Sequence, residues 1–148
     1  MQSIKSSTLA ALLVCGATTA FGQAAVPDVR GAWVAKGKSV VFGVTPHNPG
    51  TQTQDSPPRI RDNEFTYTVE GQEGRLVWGR TSSNIADTRE PFVWAISTDG
   101  KTIVGSDTDG SYFLTVQSAD LMELCYTHTG LNLSKSIVAT CWMATRQR

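Results

Sequence analysis

The stretch that decides the fold is residues 121–145, LMELCYTHTGLNLSKSIVATCWMAT. Two runs of alternating side chains flank the polar segment 130–135, a pattern typical of a β-hairpin. With that segment as the turn, Cys125 lies opposite Cys141, on the outer of the two faces. The other face is larger and more aromatic, so we predict that it points inward. It carries Met122, Leu124, Tyr126, His128, Val138, Thr140, Trp142 and Ala144.

The same period of two recurs through the chain, and helical spacing of apolar residues is not sustained anywhere after the N-terminal segment. Glycine-containing turns such as Gly71–Gly74, Asp99-Gly100 and Asp109-Gly110 separate the runs. Because the connections are short, neighbours in sequence become neighbours in the sheet, which predicts an up-and-down meander. The predicted runs are Arg30–Lys36, Lys38–Val44, Glu64–Glu70, Arg75–Ser82, Glu90–Thr98, Thr102–Ser106, Ser111–Ser118, Leu121–His128 and Ser136–Thr145.

A long meander leaves two exposed edges, and closing it into a barrel removes both. Closure of a pure meander requires an even number of strands, whereas the chain shows nine runs. The simplest solution treats Lys36-Gly37-Lys38 as a bulge or bend inside one long first strand. We therefore predict an all-β fold, an antiparallel up-and-down β-barrel of about eight strands with a lumen for side chains or one small ligand.

One segment, Thr45–Asp62, departs from this pattern. It contains four prolines and many Gln, Thr, Asn and Ser residues. Proline lacks the N–H that a strand ladder needs, so we expect no strand interior here. A connection of this length is either disordered or a lid or binding loop, and the sequence leaves both open.

The N-terminal residues resemble a secretory signal peptide. Lys5 precedes an apolar centre, Leu9–Ala17, and small residues follow near residue 22. We predict a signal peptide at residues 1–22 and a single barrel domain at residues 23–148. Removal of the leader takes Cys15 away and leaves Cys125 and Cys141, which predicts a disulfide in a secreted or periplasmic protein.

The composition excludes several function classes. The chain has 13 Lys and Arg against 13 Asp and Glu, so nothing indicates a nucleic-acid partner. After the leader, no apolar run reaches the ~20 residues of a membrane-spanning helix. No cofactor motif is present, nor a Gly-x-Ser-x-Gly or His-Glu-x-x-His motif. We therefore expect no cofactor, and an enzyme is less favoured than a binding protein.

Gly31-Ala32-Trp33, at the start of the first strand, resembles the Gly-x-Trp opening of lipocalin and avidin-like barrels. The resemblance implies that Trp33 closes one end of the barrel and that an arginine after the last strand packs over it. Arg146 occupies that position, and an arginine above an indole ring is a favourable cation–π contact. The Thr-Asp-Tyr motif of lipocalins is absent, and the biotin-contacting residues of avidins have no counterparts here.

Aromatic and polar residues on alternating positions suggest a lumenal pocket for a flat or apolar ligand. The alternative is that the aromatic rings only fill the core. His128, beside the last turn, and His47, on the proline-rich segment, could also bind a ligand, but no spacing indicates a metal site. The predicted ligand-binding residues are His47, Trp78, Arg80, Trp94, Tyr126, His128 and Trp142.

The run Asp107–Ser111 invites a calcium interpretation, because two carboxylates precede a glycine. Aligned as an EF-hand loop, it lacks the carboxylates of the first and twelfth positions. A hairpin turn explains it better.

These observations favour an exported protein that holds a small apolar or aromatic ligand in its lumen. The alternative is an exported inhibitor or interaction protein that binds a partner protein through residues 45–62. An enzyme at the barrel mouth is a third hypothesis, favoured if a polar cluster with a histidine lies deep in the lumen. The oligomeric state is left open.

Overall fold

The computed structural model describes residues 24–43, 50–51, 55–84, 89–128 and 136–148. They form a closed eight-stranded barrel in which each strand pairs antiparallel with the next and the last pairs with the first. The predicted fold class is confirmed. The strands are β1 Gly31–Phe42, β2 Arg59–Glu73, β3 Leu76–Ser83, β4 Glu90–Ile96, β5 Thr102–Ser106, β6 Gly110–Ser118, β7 Leu121–His128 and β8 Ile137–Arg146.

Among these residues we find no helix with the length and apolarity needed to cross a membrane. The predicted signal peptide lies outside the described residues and stays a prediction. His47 also lies outside them, as do the other residues of 45–49 and 52–54 in the proline-rich segment.

The first strand, β1, runs without a break through Gly37, as predicted from the even number of strands that barrel closure requires. Its register with β2 has no shift, so Gly37 marks a bend rather than a bulge. Its pairing with β8 is interrupted between Ala35 and Val40, where the indole of Trp142 covers Gly37. A Cβ atom on Gly37 would lie 2.4 Å from Trp142 Cδ1, so this approach needs glycine.

The last hairpin has the register read from the sequence. Cys125 pairs with Cys141 and Leu124 with Trp142. A disulfide joins the two cysteines on the outer face. The predicted inner face points into the barrel, where Met122, Leu124 and Ala144 are fully buried.

Two strand boundaries differ from the prediction. β2 begins at Arg59, inside the segment expected to contain no strand, because Arg59–Asp62 extends the ladder along the long β1 directly after Pro57 and Pro58. β2 also continues through Glu73 by means of a bulge between Val69 and Gly71, so the turn itself is confined to Gly74 and Arg75.

One end of the barrel, which we call the tryptophan end, is closed by Trp33 and Arg146. Trp33 is 1% exposed, and its Nε1 donates a hydrogen bond to the carbonyl of Val29 at 2.8 Å. The guanidinium carbon of Arg146 lies 4.6 Å from the centre of the indole ring, which confirms the predicted contact. Below it, the core fills the lumen with Phe92, Ile103, Leu114 and other buried side chains.

Trp78 and Arg80 lie on the outer face, so the prediction that they face the lumen is wrong. Trp78 is 45% exposed and covers Gly71 at the bulge, while Arg80 pairs with Glu70 at 3.3 Å. The inward positions of β3 are Val77, Gly79 and Thr81. By size alone, the face with Trp78 and Arg80 would point inward. On the other face, Phe92 and the backbone of β2 occupy the space that a side chain at position 79 would need, so glycine fits the interior there.

Candidate functional site

The opposite end of the barrel, which we call the acidic end, contains a cavity. Its aromatic wall consists of Phe65, Tyr67, Tyr112, Tyr126 and Trp142. The cavity volume is about 50 Å³, and since one water needs roughly 10–15 Å³ by this measure, it has room for a few waters or for one end of a small ligand, whose remainder would extend toward the open side. We call it the mouth cavity. Its remaining lining residues are Ser39, Asn63, Thr81, Glu90, Asp107, Asp109, His128, Val138 and Thr140.

The aromatic wall is a set of rings in mutual contact. Phe65 stacks on Trp142 with centroids 5.4 Å apart, and Tyr112 contacts Tyr126 at 4.8 Å. Tyr67 meets Tyr112 edge to face at 5.9 Å. Because each ring is held by its neighbours, the wall is preformed rather than assembled on binding.

Asp107 is turned into the cavity by the tight connection between β5 and β6. Its Oδ1 accepts hydrogen bonds from the backbone N–H groups of Asp109 and Gly110, at 3.1 and 2.7 Å, which is how an aspartate stabilises a turn. Its Oδ2 accepts a hydrogen bond from the hydroxyl of Tyr112 at 2.6 Å. The sequence Asp-Thr-Asp-Gly therefore forms the expected hairpin turn, and it also presents a carboxylate to the lumen.

Asp109 is the second carboxylate in the wall of the mouth cavity. Its Oδ2 lies 3.1 Å from His128 Nδ1, and its Oδ1 accepts a hydrogen bond from the hydroxyl of Tyr126 at 3.0 Å. On the other side of the imidazole, Nε2 lies 3.3 Å from Ser136 Oγ. With its proton on Nδ1, His128 donates to Asp109 and leaves Nε2 as an acceptor.

This Asp–His–Ser order is that of a nucleophile relay. Ser136, however, is fully buried and does not line the mouth cavity. A hydroxyl in that position orients the histidine and has no access to a substrate in the cavity. Asp109 and His128 do line the mouth cavity, so this pair could transfer a proton to or from a molecule bound there.

Glu90 completes an acidic cluster at the start of β4. Glu90, Asp107 and Asp109 each place a carboxylate oxygen within 4.8 Å of the others, close enough together to bind one cation. Across the ladder, Glu90 pairs with Thr81 on the neighbouring strand. Thr81 is 4% exposed, and its Oγ1 has no hydrogen-bond partner among the described residues.

Burial and hydrogen bonding shift the pKa values of the two aspartates in opposite directions. Desolvation raises the pKa of Asp107, whereas the hydrogen bond from His128 lowers the pKa of Asp109. Desolvation also raises the pKa values of Tyr112 and Tyr126, so both hydroxyls stay protonated and donate to the carboxylates. A proton bound by the two aspartates therefore goes first to Asp107.

Three of the predicted ligand-binding residues, Tyr126, His128 and Trp142, come together in this cavity. Trp94 faces the lumen but stacks on Phe92 at 4.2 Å, inside the core rather than on the cavity wall, so it is not a cavity residue. Trp78 and Arg80 face outward, as described above. The role of the three remaining residues in ligand binding stays a prediction.

The acidic residues were missed by the sequence analysis, although two signals could have found them. Glu90 has the same parity as Phe92 and Trp94 on β4, so the alternation that points these rings inward also points Glu90 inward. The ladder of β6 with β7 places Gly110 opposite His128, which brings the preceding residue, Asp109, beside the imidazole. The carboxylate on the same strand as His128, that of Glu123, faces the outside and is no partner for it.

Comparisons with known proteins identify no family. No family model matches the chain, and no curated protein matches it significantly. Among solved structures, one match is the S-type phycobiliprotein lyase CPES from Guillardia theta. The TM-score is 0.37 and the sequences are 11% identical, over 81% of this chain and 89% of that one. A similarity of this size carries no argument about the function of this chain.

Proposed function

We propose that this protein binds a small molecule in the mouth cavity. The observation that carries the proposal is the composition of that cavity, in which contacting aromatic rings and a few convergent polar groups line the same space. Ligand sites are concave and mostly apolar, with few polar groups that orient the ligand. At the opposite end, Trp33, Val29 and the core fill the lumen, and the open groove beside them, lined by Val26, Asp28, Arg30, Gln72 and Gly74, has no aromatic ring in its wall.

The protein performs this role outside the cytoplasm. Two independent features support export, the leader-like residues 1–22 and the disulfide between Cys125 and Cys141. Structural disulfides are rare in the reducing cytosol and common in secreted and periplasmic proteins. The alternative, an inhibitor acting through residues 45–62, stays a prediction because residues 45–49 and 52–54 of that segment lie outside the described residues.

Two measurements test the binding function. Native mass spectrometry of protein purified from its own source should show a bound small molecule. Ligand-observed NMR with 2-phenylethanol and with phenethylamine should show saturable binding of at least one of them. These probes combine a single ring with a short polar arm, which matches a cavity with an aromatic wall and a polar side.

Two tryptophans provide a matched pair of variants. Trp142 lies over Gly37 and lines the cavity, whereas Trp78 lies over Gly71 on the outer face. We expect Trp142→Phe to weaken probe binding and Trp78→Phe to leave it unchanged. Purified protein without a bound molecule, together with no saturable binding of either probe, would contradict the proposed function.

Acid–base catalysis is a second candidate, favoured by one observation: the contact of 3.1 Å between His128 Nδ1 and Asp109 Oδ2 in the cavity wall. A carboxylate that fixes the imidazole tautomer is a common feature of general bases. If the protein is an enzyme of this kind, His128→Gln abolishes turnover of the native ligand while the ligand still binds. Chemical conversion of that ligand, followed by mass spectrometry, is the measurement.

A further inference from the structure

The charged groups in the wall of the mouth cavity are mainly negative. Its wall contains three carboxylates, those of Glu90, Asp107 and Asp109, and no Lys or Arg residue among the described positions. The nearest cationic candidate within the wall is His128, which is paired with Asp109. On β2, Arg59 and Arg61 lie further toward the acidic end than Asn63, and neither lines the cavity.

A second observation points to a missing partner in the same place. Thr81 Oγ1 is buried, lines the cavity and has no hydrogen-bond partner among the residues that the structure describes. A buried hydroxyl without a partner costs free energy, and native structures contain few of them. Because Thr81 lies opposite Glu90 on the inner face, a donor placed between the two would satisfy the hydroxyl and meet a carboxylate at once.

From these observations we infer that the ligand of the mouth cavity carries an ammonium group, which binds between the carboxylates of Glu90, Asp107 and Asp109 and the hydroxyl of Thr81. The inference rests on the proposed function and names the chemical class of its ligand: a small primary or secondary amine with an apolar or aromatic body. The body contacts the ring wall, and the ammonium N–H groups donate to the oxygens.

The rings favour an organic ammonium over a bare metal ion. The faces of Tyr and Trp rings attract ammonium groups, and the wall holds Tyr67, Tyr112 and Tyr126 close together. The two aspartates also accept hydrogen bonds from tyrosine hydroxyls and from His128. An ammonium adds donors to the remaining lone pairs, whereas direct metal coordination competes with those bonds.

Three probes of nearly equal shape test the charge: phenethylamine, which is cationic, 2-phenylethanol, which is neutral, and phenylacetate, which is anionic. Isothermal titration calorimetry of the mature full chain should show phenethylamine binding at least about tenfold more tightly than 2-phenylethanol, the effect of one charge-assisted hydrogen bond. Phenylacetate should not bind measurably.

The variants assign the effect to named atoms. Glu90→Gln should lower the affinity for phenethylamine by about tenfold and leave that for 2-phenylethanol within about twofold. Glu70→Gln is the control, since Glu70 pairs with Arg80 on the outer face. Thr81→Val should also weaken amine binding, and because its hydroxyl has no partner to lose, the variant should unfold at the same denaturant concentration as the wild type or at a higher one.

The outcomes separate the inference from the proposed function. Equal affinities for the amine and the alcohol would overturn the inference and leave the cavity as a neutral ligand site. A cavity that binds Ca²⁺ or Mg²⁺ and no amine would also overturn it and identify the carboxylates as metal ligands. If neither phenethylamine nor 2-phenylethanol binds and native protein carries no small molecule, the proposed function itself fails.

Discussion

The two ends of this barrel differ in their residues and in what those residues do: one end is closed by an arginine over a tryptophan, and the other holds a cavity lined by carboxylates and tyrosines. At the tryptophan end, Arg146 donates hydrogen bonds to the carbonyls of Asp28, Arg30 and Ala119, and its guanidinium covers the buried ring of Trp33. At the acidic end, carboxylates line a cavity, and the Thr81 hydroxyl has no hydrogen-bond partner in the described part of the chain.

The difference shows where this fold gains stability and where it offers a site. Every polar group described above at the tryptophan end has a partner within the chain, so that end contributes to stability. At the acidic end, Asp107 is a desolvated carboxylate and the Thr81 hydroxyl has no partner among the described residues, two costs that a bound ligand would offset.

The largest expected effect is at the tryptophan end. Trp33→Ala leaves a cavity in the closed base of the barrel, which we expect to lower the free energy of unfolding by about 3–5 kcal/mol. Urea denaturation monitored by circular dichroism measures this loss. Trp78→Ala is the control, because the outer ring is half exposed and its removal opens no internal cavity. Equal losses of unfolding free energy in the two variants would mean that Trp33 contributes no more to stability than a tryptophan on the surface.

Next in size is the arginine above the ring. Arg146→Ala removes donors to three backbone carbonyls and one cation–π contact, which we expect to lower the free energy of unfolding by about 1–3 kcal/mol. Arg148→Ala should change it by less than about 0.5 kcal/mol, because Arg148 is largely exposed and only pairs with Asp120. Thermal melting of the two variants measures the difference, and indistinguishable melting temperatures would contradict the closure at this end.

A smaller effect is expected from the tyrosine that joins the two aspartates. Tyr126→Phe keeps the ring but removes the hydroxyl that donates to Asp109. We expect a loss of about 0.5–1.5 kcal/mol in urea denaturation at pH 7, the typical value of one hydrogen bond. A variant more stable than the wild type would mean that the hydroxyl is not held by the carboxylates.

The smallest effects, with opposite signs, are expected from the aspartates themselves. The pKa of Asp107 is raised by desolvation, so the folded state holds its proton more tightly than the unfolded state, and stability is lost as the pH rises through the folded pKa. Asp107→Asn should therefore gain stability relative to the wild type at pH 7, by no more than about 1 kcal/mol, and the gain should vanish below the unfolded pKa.

Asp109 provides the matched counterpart. Its pKa is lowered by the hydrogen bond from His128, so its contribution is present above the unfolded pKa and is lost as the pH falls through the folded pKa. Asp109→Asn should thus destabilise at pH 7 and approach the wild type in acid. Urea denaturation at neutral and acidic pH distinguishes the two variants, and the same sign for both would contradict the assignment of the shared proton to Asp107.

The barrel was predictable because its strands alternate and its turns are marked by glycine. The alternation of residues 121–145 was enough to predict the register of the last hairpin. Treating Gly37 as lying inside one long strand gave the correct number of strands. The orientation of β3 was not predictable from side-chain size. A glycine at position 79 permits close packing of Phe92, and this contact with another strand decides which face points inward.

The acidic cluster was only partly predictable, for a related reason. Tyr126, His128 and Trp142 were found because they lie on one hairpin. Glu90, Asp107 and Asp109 come from β4 and from the turn before β6, and the pairing of β6 with β7 brings Asp109 beside His128. A turn sequence indicates the backbone conformation of the turn. The direction of its carboxylates depends on hydrogen bonds from side chains on the strands, here Tyr112 on β6 and Tyr126 on β7.

The bend at Gly37 has a consequence for the order of folding. At the bend, Trp142 Nε1 and Thr140 Oγ1 both donate to the carbonyl of Lys38, where regular pairing of β1 with β8 is interrupted. These contacts join residues 104 and 102 positions apart, whereas the disulfide closes a separation of 16. Closing the longer loop costs more entropy, so the oxidised hairpin forms early and the seam between the first and last strands forms late. Loosening the seam, as Trp142→Phe does, should then accelerate unfolding and leave the folding rate nearly unchanged.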